Sequence, residues 1–282
     1  MLPVSMSAAM LAMLVIGLLA AKNDIARARG IDKLVALTPL CFAIPLAAFG
    51  AEHLFGGIPL SMVPRYMPLR LFWLYFVGVA LIAAALSIAT NIQVRWSGLL
   101  LGIMMFLFVA MLHLPGAVRV GGRFAWTVVF RELSFAGGAW VLAGQRKSLI
   151  TVGRVLIAIA AIVFGVQHFL HPLGLPVVPL QKQMPEWIPA RPFIDYLTGA
   201  FLIVAGTCFL LARKVHMAST YLGAWILLLV VTIYGPVLIG ALADPSIGAK
   251  VEGLNYFADT LLFGGVILSL ARATMTRKWE GA

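Results

Sequence analysis

One block of this chain occurs twice. In the pattern P-x-x-Φ-P-x-R-x-Φ-x-x-Y-x-x-G-x-x-L-I-x-A, with Φ a large apolar residue, Pro64, Pro68, Arg70, Phe72, Tyr75, Gly78, Leu81, Ile82 and Ala84 recur 121 positions later. Their counterparts are Pro185, Pro189, Arg191, Phe193, Tyr196, Gly199, Leu202, Ile203 and Ala205. At the same offset His113-Leu114-Pro115 becomes Tyr234-Gly235-Pro236. Upstream, Phe49-Gly50-x-x-His53 returns as Phe164-Gly165-x-x-His168, and downstream Glu132-x-x-x-x-Gly137-Gly138 returns as Asp259-x-x-x-x-Gly264-Gly265. Whatever this unit folds into must be built twice, and the two copies show which positions the unit keeps.

The solvent for that unit is lipid. Hydrophobic residues make up 62% of the chain and charged residues only 11%, with a mean hydropathy of +1.02, far from the composition of a water-soluble domain. Runs of the length a bilayer needs, about 20 residues, occur at 2–21, 34–54, 72–89, 97–114, 126–142, 155–170, 194–211, 221–241 and 256–270. The expected fold is an all-α integral membrane protein of nine transmembrane helices: a leading helix with its basic loop (1–30), then a four-helix bundle in each of two units, 31–147 and 148–282. An even number of helices per unit makes the repeats parallel, related by a pseudo-two-fold axis along the membrane normal.

The net charge of +11 does not point to nucleic acid, because the basic residues are scattered through short loops instead of lining one face. They read as topology signals. With alternating helices thirteen fall on one side, among them Lys22, Arg95, Arg154, Lys214, Arg277 and Lys278, and seven on the other, which orients the chain N-out and C-in. The leading helix has basic residues after its apolar core and none before it, the reverse of a secretory signal, and is expected to be retained. Cys41 and Cys208 lie inside apolar runs, with no C-x-x-C motif.

Polar side chains at membrane depth are costly, so where they collect is informative. Nearly all fall at the ends of helices on the side of the two proline-rich connections, 56–70 and 171–191, each expected to be a short interfacial lid or a plain connector. Glu52 and His53 match Gln167 and His168; Arg70 and Tyr75 match Arg191 and Tyr196; His113 matches Tyr234; Glu132 matches Asp259. Asp195 and His171 are additions of the second copy, and Arg131 of the first. For the histidines, a hydrogen-bonded interfacial role and a functional one stand level. For the acids, a buried ion pair with Arg131, Arg70 or Arg191 and a working carboxylate are both open. His53, His113 and Glu132 form the candidate proton-transfer set. Glu52, Arg70, Tyr75, His168, Arg191, Tyr196 and Asp259 are candidate substrate contacts. Neither H-E-x-x-H nor C-x-x-C-H is present, so a metal or haem site is the weaker reading.

The four-helix unit with G-x-x-H ending its first helix, proline before the second, G-x-x-L at Gly78 to Leu81 and Gly199 to Leu202, and an acid in its last helix resembles the DoxX-like family over 34–144 and again over 151–271. That resemblance implies a component of a bacterial inner-membrane redox system, with a quinone or other lipophilic small molecule near the outer face and a redox or assembly partner protein. Binding of a lipid or amphiphile without redox chemistry, carriage of a small molecule, and a purely structural subunit remain as alternatives.

Overall fold

In a computed structural model, residues 1–144 and 146–280 are described, 276–280 as backbone only, so the side chains of Arg277 and Lys278 and the last two residues of the second unit lie outside the described part. Regular structure among the described residues is helical, apart from one isolated antiparallel bridge between Gly174 and Gln183. The apolar runs fall on α1 (Leu2–Arg27), α2 (Thr38–Leu54), α3 (Arg70–Ala89), α4 (Val94–Val120), α5 (Arg123–Ala143), α6 (Lys147–Leu170), α7 (Arg191–Leu210), α8 (Val215–Ala243) and α9 (Ile247–Glu280). Seven of these are long and apolar enough to cross a membrane; α2 has 17 residues, and α5 carries Arg131 and Glu132 near its middle. Helices suit apolar runs because lipid offers the backbone no hydrogen-bond partner.

The duplication is written into the backbone as well. Helix α3 follows Leu69 at φ 50° and α7 follows Ala190 at φ 51°, while α4 follows Gln93 at φ 56° and α8 follows Lys214 at φ 49°. Both α4 and α8 loosen into a π turn, at Val109–His113 and Val230–Tyr234, just before Pro115 and Pro236. Proline inside a helix lacks an N–H and crowds the carbonyl four residues earlier, and a widened turn relieves both problems. The recurring H-L-P and Y-G-P triplets are therefore the sequence mark of a bulge.

The repeated arginines do the same local job in each copy. Arg70 donates Nε–H to the Val63 carbonyl at 3.0 Å and a second N–H to Leu60 O; Arg191 donates to Met184 O at 3.2 Å. Val63 and Met184 are themselves repeat equivalents, so each arginine ties the irregular connection back onto the helix that follows it. Of the ion-pair partners left open for the acids, Arg70 and Arg191 are thus engaged elsewhere: carbonyls of a non-helical loop need donors as much as a carboxylate does. Arg70→Ala should release 56–69, and tryptic cleavage after exposed Arg65 should accelerate about tenfold or more, the size of a lost charge-assisted bond. An unchanged rate would show that the loop does not depend on Arg70. Arg191→Ala should have less effect, because its loop is also held by buried Leu175, Val177, Leu180 and Met184.

Helix pairing departs from two self-contained bundles. The fourth helix of each unit packs on its own third helix and on the first helix of the other unit, far more than on the first helix of its own: α9 on α8 and α2, and α5 on α4 and α6. Helices α5 and α9 meet each other where the pseudo-axis runs, and α1 lies along α2. The central position of α2 and α9 shows in their burial: fourteen residues of α2 are buried, and 83% of the apolar window of α9. Glycines set the closest crossings. A Cβ on Gly50 would stand 3.0 Å from the Gly78 carbonyl oxygen, and one on Gly165 2.8 Å from that of Gly199. A Cβ on Gly137 would stand 2.7 Å from the carbonyl oxygen of Gly153. Small residues let backbones touch where hydrophobic driving force between helices is absent.

Candidate functional site

Because α5 and α9 cross at the axis, the repeated acids are brought to one place. Arg131 reaches both, donating from one terminal nitrogen to Asp259 Oδ2 at 2.6 Å and from the other to Glu132 Oε1 at 2.9 Å. Its guanidinium carbon also lies 5.9 Å from the centre of the Phe135 ring. The equivalent of Arg131 in the second copy is Ala258, so a single guanidinium serves two symmetry-related carboxylates. Glu52 joins from α2, accepting a hydrogen bond from the Asn255 amide of α9 at 3.0 Å. Glu52, Glu132 and Asp259 are all buried, at 7, 7 and 5% exposure.

Three carboxylates thus face one guanidinium. Paired charges offset much of their desolvation cost, unpaired ones do not; the centre therefore has two negative charges in excess of its fixed cation when all three acids are ionised. His113, at the end of the π turn in α4, stands in the electrostatic reach of both Glu132 and Arg131 and makes no hydrogen bond to a described residue. Arg131 Nε and Asn255 Oδ1 are buried without a hydrogen-bond partner among the described residues. The centre is polar, crowded and not fully satisfied.

Other predicted site residues go elsewhere. His53 turns back on its own helix, with Nδ1 2.8 Å from the Phe49 carbonyl oxygen, and its Cβ faces Gly78 across the α2–α3 crossing. The carboxylate next in sequence, Glu52, takes the place in the centre expected of His53. His168 and Asp195 form a separate, fully buried pair, with His168 Nδ1 3.1 Å from Asp195 Oδ1. Leu74 occupies the Asp195 position in the first copy, so this pair belongs to the second copy alone. Tyr75 and Tyr196 are exposed on the helix surface, the latter stacked on Phe169, and neither points to the acids as a ring-orienting group. Tyr234 is buried and donates its hydroxyl to the Pro176 carbonyl.

Asn255 escapes the sequence reading, although a polar residue one helical turn before Asp259 is a usable signal. Thr127, one turn before Arg131, escapes it too: it donates to Gln167 Oε1 at 3.0 Å. Glu52 with Asn255 and Gln167 with Thr127 are matching links, each from the first helix of one unit to the fourth helix of the other.

The two connections at this end differ. Most of 55–69 is exposed, whereas 175–180 is buried and forms a plug. Leu175 N–H donates to Lys182 O and Met184 N–H to Leu173 O, closing a hairpin-like loop. Thr127, Tyr234 and Tyr256 hold it, the last accepting the Lys182 backbone N–H at 3.1 Å. An open cavity of about 310 Å³ beside the plug is lined by Arg123, His171 and Gln183, among others, but not by the three acids. No group of three or more His, Cys, Asp and Glu side chains among the described residues is arranged to hold a metal ion.

These features define an all-helical protein of tandem repeats, with helices suited to multiple membrane crossings and a buried acidic centre where the repeats interlock. Comparison with known proteins adds no narrower identity: no family model, curated protein or solved structure matches the chain.

Proposed function

We propose that the protein is a DoxX-like component of a redox system in the bacterial inner membrane, crossing it nine times with its N terminus outside, and that its acidic centre exchanges protons with a quinone or other lipophilic small molecule. The observation that carries this reading is the set of three buried carboxylates around a single guanidinium, with His113 within electrostatic reach of Glu132. Such a centre takes up and returns protons without a metal ligand set, which is what a quinone–quinol couple requires of its surroundings. Glu132 and His113 carry the protons, Arg131 holds Glu132 and Asp259, and Glu52 with Asn255 closes the far side. Electrons pass to or from a redox partner protein. His53, Arg70 and Tyr75 have no part in the proton path of this reading.

Organic extraction of the purified protein should then yield a stoichiometric quinone, and Glu132→Gln should lower quinol-dependent turnover with the partner by about a hundredfold or more. Recovery of neither quinone nor partner counts against the proposal. The buried plug favours a second reading, in which the same end binds a lipid or amphiphile, or docks an assembly partner, without chemistry. Under that reading Glu132→Gln changes affinity and there is no turnover to lose.

A further inference from the structure

At the end of the helices opposite the acidic centre, a cavity of about 570 Å³ opens between α6, the turn joining α7 to α8, and α9. Its cationic groups are Arg154, Lys214 and His216; Ile150, Met217 and Leu270 give it apolar wall. Nothing in the proton-exchange reading uses these residues.

One of these cations is anchored by hydrogen bonds. Arg154 donates to the carbonyls of Phe209 and Leu210, the latter at 3.3 Å, so its guanidinium is fixed on the C-terminal end of α7, and it makes no ion pair with a described residue. Lys214, in the left-handed conformation that starts α8, makes no ion pair with a described residue. His216 has Asp32 Oδ1 at 3.7 Å, the one carboxylate among the described residues that pairs with a cation of this cavity. With His216 neutral the group carries a net charge of +1, and with it protonated +2. The first-turn N–H groups of α8 add a positive dipole end on the same side.

We infer that this cavity binds a phosphate ester anion attached to an apolar chain, and that its occupant is the headgroup of an anionic phospholipid. The site lies at the ends of the apolar helices, where headgroups sit, and basic pockets between helix ends are suited to such lipids. Arg154 provides a planar fork for phosphate oxygens and Lys214 a mobile point charge. Of its apolar wall, half-buried Ile150 and exposed Met217 face outward, where an acyl chain attached to the phosphate would lie. A freely soluble phosphate ester would satisfy the cations but leave that wall bare.

The test is native mass spectrometry of the full-length protein released from mixed phosphatidylglycerol and phosphatidylcholine vesicles. Wild type should retain phosphatidylglycerol in preference to phosphatidylcholine. Lys214→Asn, which suits the left-handed backbone, should weaken retention about fivefold, as expected for one basic residue near an anionic surface. Lys22→Asn, which removes an equal charge from an exposed position at the same end, should leave it unchanged. Glycerol 3-phosphate serves as the soluble arm: displacement of the lipid only at large excess supports the lipid as occupant, whereas tight binding of glycerol phosphate without lipid retention would overturn that assignment. Equal retention by wild type and Lys214→Asn, or equal loss in the Lys22→Asn control, would overturn the site itself.

Discussion

Arg131→Ala should destabilise the folded protein by about 3 to 5 kcal/mol, the cost of leaving buried charges without their partner. The reason is specific to this centre: Glu132 and Asp259 lose the same guanidinium at once, and Glu52 loses the nearest positive charge. Thermal unfolding in detergent should show a large fall in Tm. Arg131→Met combined with Glu132→Gln and Asp259→Asn should recover most of the fall, because buried ionic groups replaced together by neutral ones of similar volume are often close to neutral in stability. If Arg131→Ala unfolds at the wild-type temperature, the centre is not an electrostatic tie between α5 and α9.

Gly153→Val should be comparably damaging, by about 3 kcal/mol or more, at the upper end of what overpacking costs. Here the neighbour is backbone: a side chain on Gly153 meets the Gly137 carbonyl, and the helices must separate. Separation of α5 from α6 would also break the link from Thr127 to Gln167 and unseat the plug that Thr127 helps hold. Gly240→Ala is the matched control, since a Cβ there meets nothing within 4 Å, and it should leave stability unchanged or raise it slightly. Equal Tm values for Gly153→Val and wild type would mean that the close crossing does not form.

Much of the architecture is legible in the repeat alone. It marks the prolines as sites of backbone irregularity, and it keeps the glycines and arginines that the structure places at helix crossings and on the loop carbonyls. What it cannot mark is the choice of neighbours. Helices apolar on nearly all sides carry little directional signal, so the exchange of α5 and α9 between units is set by side-chain fit distributed over their whole length. The arginines mislead for a related reason. A charge in an apolar sequence invites a search for the opposite charge, but Arg70 and Arg191 are needed by carbonyls that the preceding prolines leave outside any helix. Arg131 stands among the sequence candidates to pair with the acids; only the α5–α9 crossing shows that it takes both. Glu52 outranks His53 because the two neighbours point about 100° apart on one helix.

Interlacing the fourth helices has a consequence for symmetry. In a homodimer of identical units, any residue near a two-fold axis is present twice, and two arginines would have to share the space beside Glu132 and Asp259. Joining the units in one chain lifts that constraint: one copy supplies the arginine, the other supplies an alanine, and the middle of the molecule becomes polar in one direction only. Separate expression of the two halves should therefore yield partners that need each other, since each carries the closing helix of the other's bundle.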